Sequence, residues 1–455
     1  MQRSWERSER IGVPAPVGAR PPEPGGLRIA FLVYRGNPQC GGQGVYTRHL
    51  TRELVELGHS VEVFAGQPWP ELDPGVGFTS VPGLDLYRDP DPFRIPHPRE
   101  MHDVAAAVEL GTMLTAGFGE PLAFSLRARR LLRRRRGDFD LVHDNQCLGS
   151  GMTGMLSDGW PLLTTLHHPI TVDRQLALSH AEGPWQRFTT RRWYGFLRMQ
   201  VRVARKLPAV VTVSQSSARD IAAQMGVRPD RITVVPVGVD HTVFRPRPEV
   251  APVDGRLMVT SSSDLAMKGL VPLLEAVAAL RRTRDVQLVV VGRPRRGGRV
   301  DLAIDRLGLR GTVRCVSGIT DDELARLYAQ AQVAIVPSLY EGFSLPAVEA
   351  MACGVPVVAT TGGALPEVVG RDGATGFLVP PDDPDALAHA MGRLIDDSSL
   401  RKRLGAAGRQ RVLRRFTWRA TAEGTAACYR ALLAGRLPTS ELAVDAPPLT
   451  RSGAC

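Results

Sequence analysis

Short apolar runs alternate with segments of helical periodicity along most of this chain. Residues 27–33 read as a buried strand and are followed by a polar, glycine-rich turn. Val45, Leu50, Leu54 and Leu57 then fall at helical spacing, and Gly58 is the stop signal. Residues 61–65 give a second strand, which completes a βαβ unit and predicts a parallel sheet. The rhythm lapses over 66–125, a stretch rich in Pro and Gly, and returns with apolar runs at 141–143, 162–166, 210–213 and 232–235. A second series follows: strands at 257–260, 288–292, 333–337 and 355–359, and a helix over 270–280.

Two series of similar size predict an α/β architecture of two doubly wound, Rossmann-like domains facing a cleft. The expected limits are a disordered arm at 1–26, a first domain at 27–240, a second at 241–415, a closing helix at 416–436 and a tail at 437–455. In open parallel sheets, ligands sit beyond the carboxyl ends of the strands, near helix N-termini. Those turns are therefore where chemistry is sought.

Composition narrows the class. The 455 residues are 43% hydrophobic and 23% charged, as in an ordinary globular protein. No apolar run is long enough to predict a spanning helix, and residues 1–26 lack the apolar core of a secretory signal. Six scattered cysteines (Cys40, Cys147, Cys315, Cys353, Cys428 and Cys455) show no C-x-x-C pair. They read as free thiols in a reducing cytoplasm. The net charge of +11 is concentrated in two arginine-rich segments, 127–136 and 187–206. Aromatic residues Trp185, Phe188, Trp193, Tyr194 and Phe196 interleave with the second. The reading preferred here is a helix packed on the first domain with its arginines in solvent. Docking on the anionic inner membrane face is the sharper alternative. A nucleic-acid platform is not supported.

The sharpest constellation is Glu341-Gly342-Phe343-Ser344-Leu345-Pro346-Ala347-Val348-Glu349. A strand feeds this loop, Ser344 suits an N-cap, and Pro346 suits a first helical turn. Backbone N–H groups then converge as an anion site. Two carboxylates beside such a site suit hydroxyl groups, since a carboxylate accepts from a diol. A sugar nucleotide carries diphosphate, ribose diol and sugar hydroxyls together. The alternative is two solvated surface acids.

Lys268-Gly269 follows the strand at 257–260, where an ammonium can neutralise phosphate. The chain has only three lysines, at 206, 268 and 402. Gly41-Gly42-Gln43-Gly44 opens the first helix and lets backbone approach a ligand. It is neither the dinucleotide fingerprint nor a P-loop. His167-His168 follows the strand at 162–166, where a histidine can donate to a substrate oxygen. No further His or acid stands at ligand spacing, so no metal site is read.

Together these residues resemble glycosyltransferase family 4, a retaining group with the GT-B fold, over roughly 27–436. Glu341 to Glu349 is similar to its E-x7-E signature, and Gly41-Gly42-x-Gly44 to its first glycine loop. Thr212-Val213-Ser214, residues 236–240, and Thr361-Gly362-Gly363 with Glu367 stand in family order.

The resemblance implies transfer from a UDP- or GDP-sugar, with retention, to a small-molecule, glycan or lipid acceptor, without metal or cofactor. It implies catalytic roles for His167, Lys268 and Glu341. It places Gly41, Gly42, Gly342, Phe343, Ser344, Leu345 and Glu349 on the donor, and the base near Val316. The family's usual arginine five residues before the lysine is replaced by Ser263. Arg293, on the next strand-end turn, is the expected substitute. A nucleotide-sugar 2-epimerase, or a weakly active homologue that binds sugar nucleotide, is the rival reading. A phosphorylase would need pyridoxal phosphate.

Overall fold

The computed structural model describes residues 14–37, 42–88, 91, 93–179, 181, 183–261 and 266–436. Gly41 and Ser263 lie outside them, as do the expected tail at 437–455 and part of the arm. Contacts group the chain into two units. The first takes residues up to Thr165, with Ala177–Pro208 and Leu432–Gly435. The second takes Leu166–Leu176, Ala209–Ala431 and the end of the chain.

In the first unit, strands β1 (Arg28–Val33), β2 (Ser60–Ala65), β3 (Gly77–Ser80), β4 (Leu141–Asn145) and β5 (Leu162–Leu166) lie in the order β3-β2-β1-β4-β5. The pairs are parallel, with Phe31 opposite Val63 on one side and His143 on the other. Central strands covered on both faces need unbroken apolar runs, and β1 is buried from Ile29 through Val33. The helix Gly42–Glu56 buries Tyr46, Leu50 and Leu54, three of its apolar-face residues.

The irregular stretch expected at 66–125 is more ordered than its composition suggests. It holds β3, a helix Val104–Leu114 and the start of a helix Glu120–Arg134. The helix Val104–Leu114 is apolar nearly all round, so no periodicity marks it. Val104 is 80% and Leu114 67% exposed, while Asp103 caps the N–H of Ala106. Leu84, Leu86, Ala106 and Met113 form a small core that fixes the loop after β3.

Three of the seven arginines of the first basic segment pair with acids. Arg127 binds Asp103 and Glu109, Arg129 binds Asp158, and Arg135 binds Glu62 and Asp138. The second meets the packed-helix expectation only in part: the helix Leu197–Ala204 buries Leu197, Gln200, Val203 and Ala204. The helix Gly183–Trp193 buries none of its residues, and Trp185 is 74% exposed. Trp193 and Phe196 instead join Tyr87, Phe93 and Phe118 in an aromatic cluster. Among the described residues, no helix is long and apolar enough to cross a membrane.

In the second unit, β6 (Ala209–Thr212) and β7 (Ile232–Val234) pair in parallel. A six-stranded parallel sheet follows: β8 (Arg256–Thr260), β9 (Gln287–Val291), β10 (Val313–Val316), β11 (Val333–Val336), β12 (Val357–Thr360) and β13 (Gly376–Val379). Its order is β10-β9-β8-β11-β12-β13. The chain thus reverses direction across the sheet between β8 and β11, which makes their carboxyl ends a topological switch point. Leu257, Val259, Leu273, Leu274, Val277, Leu288, Ile335 and Met391 are among the core residues that hold helices to this sheet.

The helix Trp418–Leu433 docks on the segment after β7. Val239 N–H donates to the Phe416 carbonyl at 2.9 Å, and Thr421 Oγ1 donates to the Pro236 carbonyl at 2.8 Å. Gly238 makes the approach possible, because a Cβ there would stand 2.2 Å from the Trp418 nitrogen. Gly238→Ala should therefore cost about 1–3 kcal/mol, the usual scale of overpacking, and lower the thermal midpoint. An unchanged melting curve would contradict this packing account.

Candidate functional site

Three strand-end loops of the second unit, after β8, β11 and β12, are knitted together by their backbones. Leu339 N–H donates to the Met267 carbonyl at 2.8 Å, tying the β11 loop to the β8 loop. Ala364 N–H donates to the Glu341 carbonyl at 2.8 Å, tying the β12 loop to the β11 loop. Thr360 Oγ1 bonds the Ser338 carbonyl and also accepts from Gly362 N–H. Glycine is required at two of these crossings. Gly269 (φ +64°) would place a Cβ 1.9 Å from the Pro337 carbonyl oxygen, and Gly363 (φ +62°) one 2.2 Å from the Glu341 oxygen.

This frame brings Lys268 and Glu341 into contact. Lys268 Nζ lies 2.8 Å from Glu341 Oε1, and Ser338 Oγ donates to the same oxygen at 2.7 Å. Both side chains keep partial exposure, 27% and 16%, so the pair remains open to exchange with a ligand. Ser338 carried no signal in the sequence beyond following a strand.

Beyond Glu341 the loop becomes the helix Leu345–Ala352. Ser344 is its N-cap and accepts from Ala347 N–H at 3.4 Å, with Pro346 in the first turn. Ser344 holds φ at +110°, a conformation costly for a residue with a Cβ. Such strain persists where surroundings over-determine it and gathers at ligand sites. Phe343 is buried, its ring 5.6 Å from that of Phe416.

Glu349, in this helix, meets Tyr328 rather than Lys268. Tyr328 OH lies 3.3 Å from Glu349 Oε2 and 3.1 Å from Thr260 Oγ1 at the end of β8. Burial first, and the Asp321 charge second, push the Glu349 carboxyl up to about 7. Tyr328 and Thr260 were missed by sequence reasoning. A tyrosine on the apolar face of the helix Asp321–Gln330 looks like core, and it is 1% exposed.

The segment after β5 also belongs to this unit. A Cβ at Gly342 would come 3.1 Å from His168 Cβ and 3.2 Å from the His167 carbonyl oxygen, so the E-x7-E loop touches the histidine pair. Ser214 Oγ (2.7 Å) and Ser217 Oγ (3.1 Å) both donate to the Gly342 carbonyl, and Ser217 also reaches the His167 carbonyl. Burial, aided by His168, lowers the His167 imidazole to about 3, which keeps it neutral. His168 Nε2 stands 2.9 Å from Asp173 Oδ2. Glu367 turns away from ligand duty: its two oxygens accept the N–H groups of Gln215 and Ser216, each at 2.7 Å. It clamps a helix start.

Arg293 lines another recess of about 310 Å³, with Gly292, Ile304, Val313, Cys315 and Ser317. It lies beyond the carboxyl ends of β9 and β10, next to Val316, the last residue of β10. Lys268, Glu341 and Glu349 do not line it. Gly42 opens the first helix of the other unit, with space around its α-carbon.

The described residues thus place a cation, two acids, hydroxyl donors and a helix N-terminus at the switch point of a parallel sheet. Residues 40–243 match the family model described as Glycosyltransferase Family 4, and residues 245–411 that of Glycosyl transferases group 1. An MMP alpha-(1->4)-mannosyltransferase of Mycolicibacterium hassiacum is 53% identical over 90% of this chain and 99% of its own. A D-inositol 3-phosphate glycosyltransferase of Acidothermus cellulolyticus is 32% identical over 90% of this chain and 91% of its own. Among solved structures, sucrose-phosphate synthase of Thermosynechococcus elongatus superposes with a TM-score of 0.69 at 25% identity, covering 90% of this chain and all of that one. WaaG, a glycosyltransferase involved in lipopolysaccharide biosynthesis, shares the fold with a TM-score of 0.62 at 17% identity, over 87% and 98% of the two chains. The chain belongs to glycosyltransferase family 4 and is a glycosyltransferase of the GT-B fold.

Proposed function

We propose that the enzyme moves a mannosyl or related hexosyl group, with retention, from a nucleotide-diphospho-sugar to an acceptor hydroxyl. The observation that carries this reading is the Lys268–Glu341 pair beside the strained N-terminus of the helix Leu345–Ala352. The mannosyl assignment follows the name of the 53%-identical relative.

In this reading the diphosphate lies against Lys268 and the loop amides at Gly342, Phe343 and Ser344. The bond from the anomeric carbon to the phosphate oxygen breaks, and charge grows on that oxygen. Preorganised donors that cost no reorganisation are worth most at this moment. The acceptor oxygen bonds to the same carbon on the same face, and its proton passes to the departing phosphate oxygen. Glu341 and the neutral His167 hold the transferred sugar, Glu349 the ribose diol, and the Arg293 recess the base. Positive charge comes from side chains and amides, so a chelator should leave turnover unchanged. Production of nucleoside diphosphate and an altered sugar without acceptor would favour the epimerase reading instead.

Lys268→Ala should lower turnover by roughly 10²–10³-fold, the scale for losing one stabilising group in a water-poor site. Glu349→Ala should lose most transfer through weaker donor binding. Wild-type kinetics in both variants would overturn the donor-site assignment.

The Glu349 carboxyl also sets a pH dependence. Its value, about 7, lies above the ordinary 4.5, so in the free folded enzyme this carboxyl is about half protonated at neutral pH. The shift therefore lowers stability as pH rises from 4.5 towards 7 and leaves that loss in place above. Donor binding runs the other way, because only the ionised carboxylate accepts both diol hydrogens. Affinity for an intact nucleotide-sugar, measured calorimetrically, should rise from about pH 6 to about pH 8, a window in which its phosphodiester charges stay fixed. Glu349→Gln should flatten that profile, and an unchanged slope would refute the ribose role.

A further inference from the structure

The first unit carries a concavity of its own, lined by none of the residues assigned above. It lies beyond the carboxyl ends of β1, β2 and β3 and is lined by Tyr34, Gly66, Gln67, Asp85, Glu109, Glu120 and Arg127, among others. Strand carboxyl ends are where α/β sheets take ligands. The recess is narrow, about 20 Å³, which is room for about one water-sized group. It admits a hydroxyl or hydroxymethyl substituent and leaves the rest of a ring outside.

Its lining is acidic, and its cation is already engaged. Arg127 donates to Asp103 at 3.0 and 3.1 Å and to Glu109 at 3.0 Å. Glu109, only 2% exposed, also accepts from Leu84 N–H. Glu120 is different. Its side chain is 10% exposed, and Oε2 lies 3.6 Å from Arg35 Nε, beyond hydrogen-bond length. That oxygen is buried without a hydrogen bond among the described residues. A buried polar atom left in this state is unfavourable unless a ligand or water satisfies it.

The lining discriminates by charge. A phosphate entering here would face Asp85 and Glu109, with Arg127 committed elsewhere. A neutral hydroxyl would give Glu120 Oε2 the hydrogen bond it lacks among the described residues. Burial raises the Glu120 carboxyl to about 8, so at neutral pH it can donate as well as accept. We infer that this recess is an acceptor subsite that engages a hydroxyl-bearing substituent of an uncharged sugar unit and disfavours phosphorylated acceptors. The inference rests on the glycosyl-transfer reading for its role, but the binding itself does not need a donor.

The test has two arms on the full-length enzyme. In the first, saturation-transfer NMR without donor compares uncharged methyl hexopyranosides with the corresponding hexose 6-phosphates. At least one uncharged hexoside should bind, its 6-phosphate roughly tenfold or more weakly, the scale of one unfavourable charged contact. Glu120→Ala should weaken the hexoside by a similar factor, and the near-isosteric Glu120→Gln less. Glu109→Gln, which removes one acid from the lining and one of the two acid partners of Arg127, should narrow the gap between neutral and phosphorylated ligands. Thermal midpoints and nucleotide-sugar affinity of the variants show that the fold and the other unit are intact. Equal or tighter binding of the phosphates, no binding of any hexoside, or no effect of either Glu120 variant, as for a recess that holds only water, would overturn the inference. The second arm measures nucleotide release from sugar donors with the same acceptors. Failure there with hexoside binding retained would sink the transfer reading and leave the subsite standing.

Discussion

The site depends on one electrostatic contact held by backbone: Lys268 against Glu341, on loops that end β8 and β11. A lone lysine on a flexible turn would be a weak feature, because its four-carbon stem loses entropy when fixed. Here the turn is not free. Leu339 N–H binds the Met267 carbonyl, and Gly269 sits so close to Pro337 that no side chain fits. The pair is therefore held in place by the backbone around it, and groups fixed in advance avoid reorganisation when charge develops.

The remaining polar groups divide into those that offer themselves and those that hold others in place. Ser214 and Ser217 spend their hydroxyls on the Gly342 carbonyl, and Glu367 spends its carboxylate on a helix start. The two serines hold the loop just before Ser344, and Glu367 holds the start of the helix that carries Ser217. Glu349 is the opposite case. Its weak tyrosine contact at 3.3 Å and its burial leave the carboxyl near the middle of its titration at neutral pH, which is how buried acids at binding sites become responsive.

The same contrast separates the two units. The second gathers a cation and helix amides at its switch point, which suits a doubly charged phosphate. The first lines its strand-end recess with acids and commits Arg127 to them. The two units thus differ in the charge they present at these strand ends, and the acids of the first stand against what its arginine-rich segment 127–136 would suggest. Charge counted along a sequence overlooks the acids that neutralise it in space.

By itself, the sequence determined the parallel α/β architecture, because strands buried on both faces must be continuous apolar runs, as at 29–33 and 333–336. It also determined the E-x7-E loop, because a strand end, an N-cap serine and a first-turn proline are local signals. It did not show β3, β13 or the helix Val104–Leu114, whose short or all-apolar sequences lack a period. Only tertiary structure decided that Tyr328 serves Glu349, that Glu367 is a clamp, and that Arg293 lines a recess shared with neither acid. Those outcomes depend on which strand ends become neighbours, and neighbours separated by scores of residues leave no spacing in the chain to read.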